Sequence, residues 1–218
     1  MLDPAAAARL ILEHVRPLPA ERRPLREVLD QVLAEDVASP IDLPPWDNSA
    51  MDGYAARAAD LTAPGVELRV IESVAAGQFS TKPVGAGEAT RIFTGAPLPS
   101  GADSVVRQED TAPGGAPDRV AITSIRDARM NIRRRGEDIR RDQVVLTAGT
   151  QLGPAQLGVL ASIAHGEPLV TRAPRVAFLG SGDEIVDLDR REEILAGKKI
   201  ATSNSYTLLG MIRRAGYP

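Results

Sequence analysis

Along the first 44 residues the apolar positions keep a helical period. Leu10, Ile11 and Val15 share one face of a segment opened by Asp3-Pro4, a pair suited to the cap and first position of a helix. Leu25, Val28, Leu29, Val32 and Leu33 repeat the 3.6-residue spacing until Pro40, Pro44 and Pro45 prevent its continuation. The pattern therefore predicts two helices over 1–44. From about residue 45 to 138 the chain changes to short β-rich pieces, "ELRVIESV", "RIFTG", "DSVVRQ" and "DRVAITSI", punctuated by "PLPSGAD" and "APGGAPD". These predict an inserted all-β module, a small barrel or sandwich. Beyond it, "DQVVLTAGTQLG" reads as a strand and turn. Gly153-Pro154 then opens a helix with Leu157, Leu160, Ala161 and Ala164 on one face, ending at Gly166. Helical segments on both sides of a β insert imply one elongated helical/β domain made from 1–44 and 139–172.

A third pattern occupies 173–218. "RVAFLG" is a continuous apolar run of the kind buried on both faces of a parallel sheet, and it leads into the turn "GSGDE". "SNSYTLLGMIRRAG" reads as a helix with Ser203 as cap, Leu208, Leu209 and Ile212 inward, two arginines in the last turn and Gly216 beyond it. Strand, loop and helix begin a doubly wound α/β unit. A parallel strand needs neighbours, and this segment supplies too few, so the chain is expected to end inside a domain. The fold class expected is multidomain α+β.

Composition narrows the function classes. The chain of 218 residues has 43% apolar and 25% charged residues, as in ordinary globular proteins, but only 3% aromatics, so Ala, Leu, Val and Ile must fill the core. A net charge of -3 argues against nucleic acid as a partner. The absence of cysteine excludes disulfides and thiolate metal sites and fits a reducing compartment. Apolar runs such as Leu157 to Ala164 are too short to span a membrane, and Met1 leads directly into the first helix without a signal peptide. A cytoplasmic protein with no membrane partner is expected.

Candidate chemistry gathers in four stretches. "PPWDNSAMDGYA" holds the only tryptophan between two prolines and Asp52-Gly53. If Trp46 buries its ring as a peg, then Asp47, Asn48, Ser49 and Asp52 converge as oxygen ligands for a hard cation or a hydroxyl-bearing molecule. The alternative is an ordered loop without ligand. Thr94-Gly95 ends "RIFTG", either as a hydroxyl beside an open backbone or as a plain strand exit. "NIRRRGEDI" sets Arg133, Arg134 and Arg135 before Glu137-Asp138, which is either a solvated face or an anion site with an acceptor nearby. In "LGSGDEIV" the Gly-Ser-Gly turn can present backbone N–H groups to an anion, with Asp183 and Glu184 just beyond. It has neither the spacing of a dinucleotide fingerprint nor the lysine of a P-loop. His14 and His165 have no partner at ligand spacing, and no serine sits in a nucleophile elbow.

In this order and spacing, "PPWDNSAMDGYA", "RIFTGAPLPSGADSVV", "NIRRRGEDI" and "PRVAFLGSGDEIV" closely resemble the molybdopterin molybdenumtransferase family, which includes the E domain of gephyrin. The resemblance implies a homodimeric enzyme that inserts molybdenum from molybdate into adenylyl-molybdopterin, releasing AMP, with Mg²⁺ as the usual divalent cation. It implies that 45–138 is the family's inserted β domain and that 173–218 begins its α/β molybdopterin-binding domain. Its cleft lies between the third domain of one subunit and the second domain of the other. Matched motif to motif, Asp52, Thr94, Asp138 and Glu184 fall on catalytic positions, and Arg133, Ser181, Gly182, Ser203 and Asn204 on substrate-binding ones. Asp183 and Glu184 are the implied metal carboxylates. Molybdopterin adenylyltransferase and molybdoenzymes are the implied further partners.

The chain also departs from the family pattern. Thr202-Ser203-Asn204 stands where the family usually carries Asp-Ser/Thr-Asn, which removes a carboxylate, and Ser181 replaces the usual Thr. The family's later Gly-Gly-Val-Ser and Pro-Gly-Lys-Pro motifs and its fourth domain are absent from these 218 residues, so this stretch alone is expected to be inactive. The alternative expectation is a non-catalytic dimerisation or scaffold module of the same family.

Overall fold

The computed structural model describes residues 3–217, so Met1 and Pro218, which entered the reading of the two chain ends, lie outside it. The fold is mixed α+β, and the chain divides into two compact units, 38–145 on the one hand and 1–37 with 146–218 on the other. Among the described residues no helix is long and apolar enough to cross a membrane.

Unit 38–145 is built on a six-stranded sheet. Its spatial order is Ser104–Arg107, Gly53–Ala56, Glu88–Ile92, Val66–Val74, Arg119–Ile122, Thr111–Pro113. Only the pairing of Val66–Val74 with Glu88–Ile92 is parallel. All four β-rich pieces read from the sequence supply strands of this sheet. Side chains alternate across each strand, so neighbouring residues enter different cores. Ala56, Ala89, Val106, Val120 and Ile122 pack with Leu61 and Leu68 in one cluster, while Ala55, Ile92 and Val105 join Val74 and Ala96 in another. Small alanines in the central strands leave room for the branched side chains of their neighbours, which explains how so few aromatics suffice.

Two features fix this sheet. Gly53 lies opposite Ile92 on one side and Arg107 on the other, and a Cβ placed on it would stand 1.9 Å from the carbonyl oxygen of Val106. Only glycine permits that approach. The second is a bidentate ion pair at the edge strand: Arg107 donates from Nε and Nη2 to Asp127 at 3.0 Å each, and its backbone N–H adds a third bond at 3.1 Å. Asp127 is 1% exposed. Burial pushes its carboxyl up, but the Arg107 bonds outweigh that and hold it below the usual carboxylate range.

The other unit differs from the sequence reading at several points. The helix Pro4–His14 forms as expected, with the Asp3 carboxylate accepting from Ala6 N–H at 2.9 Å, but Leu10, Ile11 and Val15 remain exposed. No helix runs through 25–33. Only Leu25–Glu27 makes a tight turn, Asp30 takes a left-handed conformation (φ 64°), and Val32 and Leu33 form isolated bridges with Gln151 and Val170. The helical spacing of the apolar residues was overridden because their backbone donors have distant acceptors. Asp30 N–H bonds Leu152 O at 2.8 Å, Leu33 N–H bonds Thr150 O at 2.9 Å and Ala34 N–H bonds Leu169 O at 3.0 Å. Val28 and Leu33 thereby reach a core with Leu152, Leu160, Ile163 and Val170. Helix Pro154–Ser162 and the antiparallel pair of Ala20–Arg22 with Leu169–Thr171 frame this core.

In the last segment "RVAFLG" is not a strand, and Leu179 is 91% exposed. An apolar run becomes a buried parallel strand only when neighbours take its N–H and C=O groups, and none does so among the described residues. A parallel pair does form from Ile185–Val186 and Ile200–Ala201, with the helix Arg191–Leu195 between them and Ser203–Arg214 following. Thr202, rather than Ser203, is the N-cap, with no side-chain capping bond. Leu208 and Ile212 are half-buried and Leu209 is exposed, so the inward face expected for them is not formed.

Gly53→Ala should therefore lower the stability of the unit by roughly 2–4 kcal/mol through backbone displacement. Urea denaturation monitored through the sheet is the check. A variant within about 0.5 kcal/mol of the parent would show that the strand has room to give.

Candidate functional site

The segment from Trp46 to Gly53 is held on the sheet by backbone bonds to two distant stretches. Asn48–Ser49 pairs antiparallel with Ile132–Arg133, which sets Arg133 opposite Asn48. Ser49 also accepts from Gly95 N–H at 2.8 Å and donates its own N–H to Ala96 O at 3.0 Å. The turn that carries Thr94 is thereby drawn against the Asp52 loop. Gly95 has φ 82°, the left-handed region that the turn requires and glycine tolerates.

Asp52 and Thr94 meet directly. The Asp52 Oδ1 accepts from the Thr94 backbone N–H and from its Oγ1, each at 2.8 Å. The first of these bonds, with the hydroxyl bond and then the charge of Arg91 in support, holds the Asp52 carboxyl below the usual range. Oδ2 has no hydrogen-bond partner among the described residues and Asp52 is exposed, so one carboxylate oxygen is fixed in direction and open to a ligand.

The remaining residues of the opening loop do not converge with it. The Asp47 carboxylate accepts from Arg134 Nη1 at 2.6 Å and from Arg135 N–H at 2.8 Å. Asn48 donates to Trp46 O at 3.3 Å, and Ser49 Oγ donates to Met51 O at 2.5 Å. These side chains brace the loop. Trp46 is not a buried peg either. It is 37% exposed and meets Phe79 edge-on, with ring centroids 5.0 Å apart.

The arginine turn is largely neutralised. Arg135 Nε donates to Asp42 at 2.7 Å, and Arg134 is held by Asp47. Arg133 alone of the three makes no ion pair among the described residues. Asp138 is exposed and its backbone N–H bonds Leu43 O at 3.0 Å. Neither the Arg133 nor the Asp138 side chain is bonded to Asp52.

In the other unit, Ser181, Glu184, Ser203 and Asn204 line a cavity of about 420 Å³, and Ser181 and Gly182 line an adjoining one of about 200 Å³. Gly182 has φ 143°, and a Cβ on it would come within 2.9 Å of both Glu184 carboxylate oxygens. The glycine leaves the space that the carboxylate occupies. Asp183 lines neither cavity, and its carbonyl accepts from Lys199 Nζ at 2.6 Å. Among the described residues no group of three His, Cys, Asp or Glu side chains is placed to hold a metal ion.

Sequence reasoning overlooked Arg91. Its Nη1 donates to Gly53 O at 2.9 Å, and its Nη2 to Gln108 Oε1. Its guanidinium lies 5.1 Å from the Tyr54 ring centroid and 4.8 Å from that of Phe93. The signal available was its position three residues before Thr94 in "RIFTG".

Comparison with known proteins gives a consistent result. The family described as "MoeA N-terminal region (domain I and II)" matches residues 2–164. The chain is 36% identical over 226 aligned residues to a molybdopterin molybdenumtransferase of Synechococcus elongatus, covering 99% of this chain and 54% of the relative. It is 33% identical over 214 residues to one of Staphylococcus aureus, covering 96% and 50% respectively. A crystal structure of the molybdopterin biosynthesis moeA protein of Pyrococcus horikoshii OT3 superimposes with a TM-score of 0.87 at 34% identity, over 98% of this chain and 57% of that one. The chain spans about half the length of the curated relatives it matches.

Thr94→Val should raise the Asp52 pKa, since one of its two Thr94 bonds is lost. A carboxyl whose native pKa is depressed adds stability above its unfolded pKa of about 3.9 and loses it as pH falls through the native value. The variant should thus lose less stability on acidification. Carboxyl ¹³C NMR titration checks the shift, and an unchanged Asp52 midpoint would show that the hydroxyl contributes nothing.

Proposed function

The chain belongs to the MoeA N-terminal family, and on that premise we propose that the protein carrying it is a molybdenum cofactor synthesis enzyme. In this reading it transfers molybdenum from molybdate to adenylyl-molybdopterin and releases AMP. The observation that supports the reading most is the Asp52 carboxylate, locked by two Thr94 bonds with its second oxygen unbonded among the described residues. The reaction brings together an oxyanion, a dithiolene and a phosphoanhydride. Its demands are charge neutralisation and exact placement of donors and acceptors, not a side-chain nucleophile.

Each unit contributes a part. Asp52 and Thr94 line the reacting end, with Asp138 as a further carboxylate and Arg133, without an ion pair among the described residues, as an anion contact. Ser181, Gly182, Ser203 and Asn204 hold the adenylyl-molybdopterin around the Glu184 cavity. Mg²⁺ commonly takes one or two carboxylates and completes its shell with water and substrate phosphates. Asp183 and Glu184 would serve as those carboxylates, and the ion would supply charge neutralisation at the phosphoanhydride. Thr202 stands where the family usually carries Asp, so no third carboxylate is supplied there.

The same reading includes a cytoplasmic homodimer in which the two carboxylate sets come from different subunits. It keeps the division into 1–44 with 139–172, an inserted β domain at 45–138, and the start of a doubly wound molybdopterin-binding domain at 173–218. Molybdopterin adenylyltransferase would supply the substrate and molybdoenzymes would receive the product. A second reading, a non-catalytic dimerisation module, draws on the exposed apolar face of the helix Pro4–His14.

In the protein carrying this chain, Asp52→Asn and Glu184→Gln should each lower molybdate-dependent AMP release by about 100-fold or more, with unchanged thermal unfolding. Normal release from either variant would overturn its assignment. Molybdate-independent behaviour of the parent, together with self-association in sedimentation that Leu10→Glu abolishes, would favour the second reading.

A further inference from the structure

We infer that Arg91 is the positioning residue that locks the Asp52 and Thr94 segments to one another, which rests on the assignment of that pair to the cleft. In the antiparallel register Arg91 stands directly opposite Tyr54. From there its side chain reaches two separate acceptors: Gly53 O at 2.9 Å, the carbonyl of the residue after Asp52, and Gln108 Oε1. The Gln108 backbone N–H in turn donates to Asp52 O at 2.9 Å. Arg91, Gln108 and the Asp52-Gly53 backbone thus close a ring of hydrogen bonds on the carbonyls of Asp52 and Gly53.

The other half of the arrangement runs toward Thr94. Phe93 precedes Thr94, and the guanidinium lies against its ring as well as that of Tyr54. One planar cation therefore contacts both chain segments that carry the pair. An ordinary sheet-stabilising arginine pairs with a carboxylate, as Arg107 does with Asp127. Arg91 makes no ion pair among the described residues, and its acceptors are neutral. A planar fork with two donor directions is needed for this geometry, so lysine is not an equivalent.

The test separates placement from charge. Arg91→Met keeps much of the contact with the rings but removes every donor, whereas Gln108→Leu breaks the ring of bonds and leaves the cation in place. In the 218-residue chain, the pH titration of the Thr94 amide resonance reports its bond to Asp52. Both variants should shift that titration upward and reduce Thr94 amide protection by about tenfold, while amides of the strand Arg119–Ile122 keep theirs. Arg91→Lys should recover less than half of the protection. A shift with Arg91→Met alone would show that charge rather than placement matters, and equal loosening of every strand would show a general structural role. Either result overturns the proposal, as does an unchanged Thr94 in both variants. If Arg91→Met folds poorly, Gln108→Leu carries the test. Loosened Thr94 with normal AMP release in the whole protein would leave the positioning intact and remove the pair from the cleft. Lost release with an unchanged Thr94 would do the reverse.

Discussion

The close approach of Gly53 to the Val106 carbonyl constrains everything around it. Because no side chain intervenes, the strand Gly53–Ala56 can lie between Glu88–Ile92 and Ser104–Arg107 with full pairing on both sides. Asp52 leaves the sheet at that point, so its backbone inherits the rigidity of three strands. The turn carrying Thr94 leaves the sheet beside it, from the end of Glu88–Ile92. The Asp52 carboxylate, next to a glycine, is thus placed by the strand that follows it and not by the loop that precedes it.

Ion pairs hold the arginines that flank the Asp52 loop and the edge of the sheet. Asp42 and Asp47 take up Arg135 and Arg134, while Asp127 takes up Arg107. These pairs are braces, and the partly exposed ones contribute little stability individually. Among the described candidate residues, one oxygen of Asp52 has no hydrogen-bond partner and Arg133 makes no ion pair. On the function proposed above, an unpaired cation and an open carboxylate oxygen leave both signs available to a charged ligand.

The last 46 residues, 173–218, follow a different logic from the two preceding patterns. A short parallel pair with helices between and after it is established, yet the apolar run "RVAFLG" remains unpaired among the described residues. Strand formation in a parallel sheet is collective, since each strand relies on neighbours for its backbone bonds. The run carries the composition of a strand and, among the described residues, has no partners that would make it one.

Features that depend on neighbouring residues can be read along the chain. The capped first helix, the four β-rich pieces, the helix at Pro154 and the four family motifs were all legible, because periodicity, turn chemistry and motif spacing are local quantities. Tertiary structure decided the rest. Thr94 meets Asp52 across 42 positions, Arg134 meets Asp47 across 87, and Arg135 meets Asp42 across 93. No local pattern distinguishes an arginine that will bind an anion from one that will brace a loop. The apolar residues of 25–33 make the same point, since their helical spacing gave way to backbone bonds with Thr150, Leu152 and Leu169. Where a donor or a charge has a distant partner of lower free energy, that partner sets its role, and its position exists only once the chain is folded.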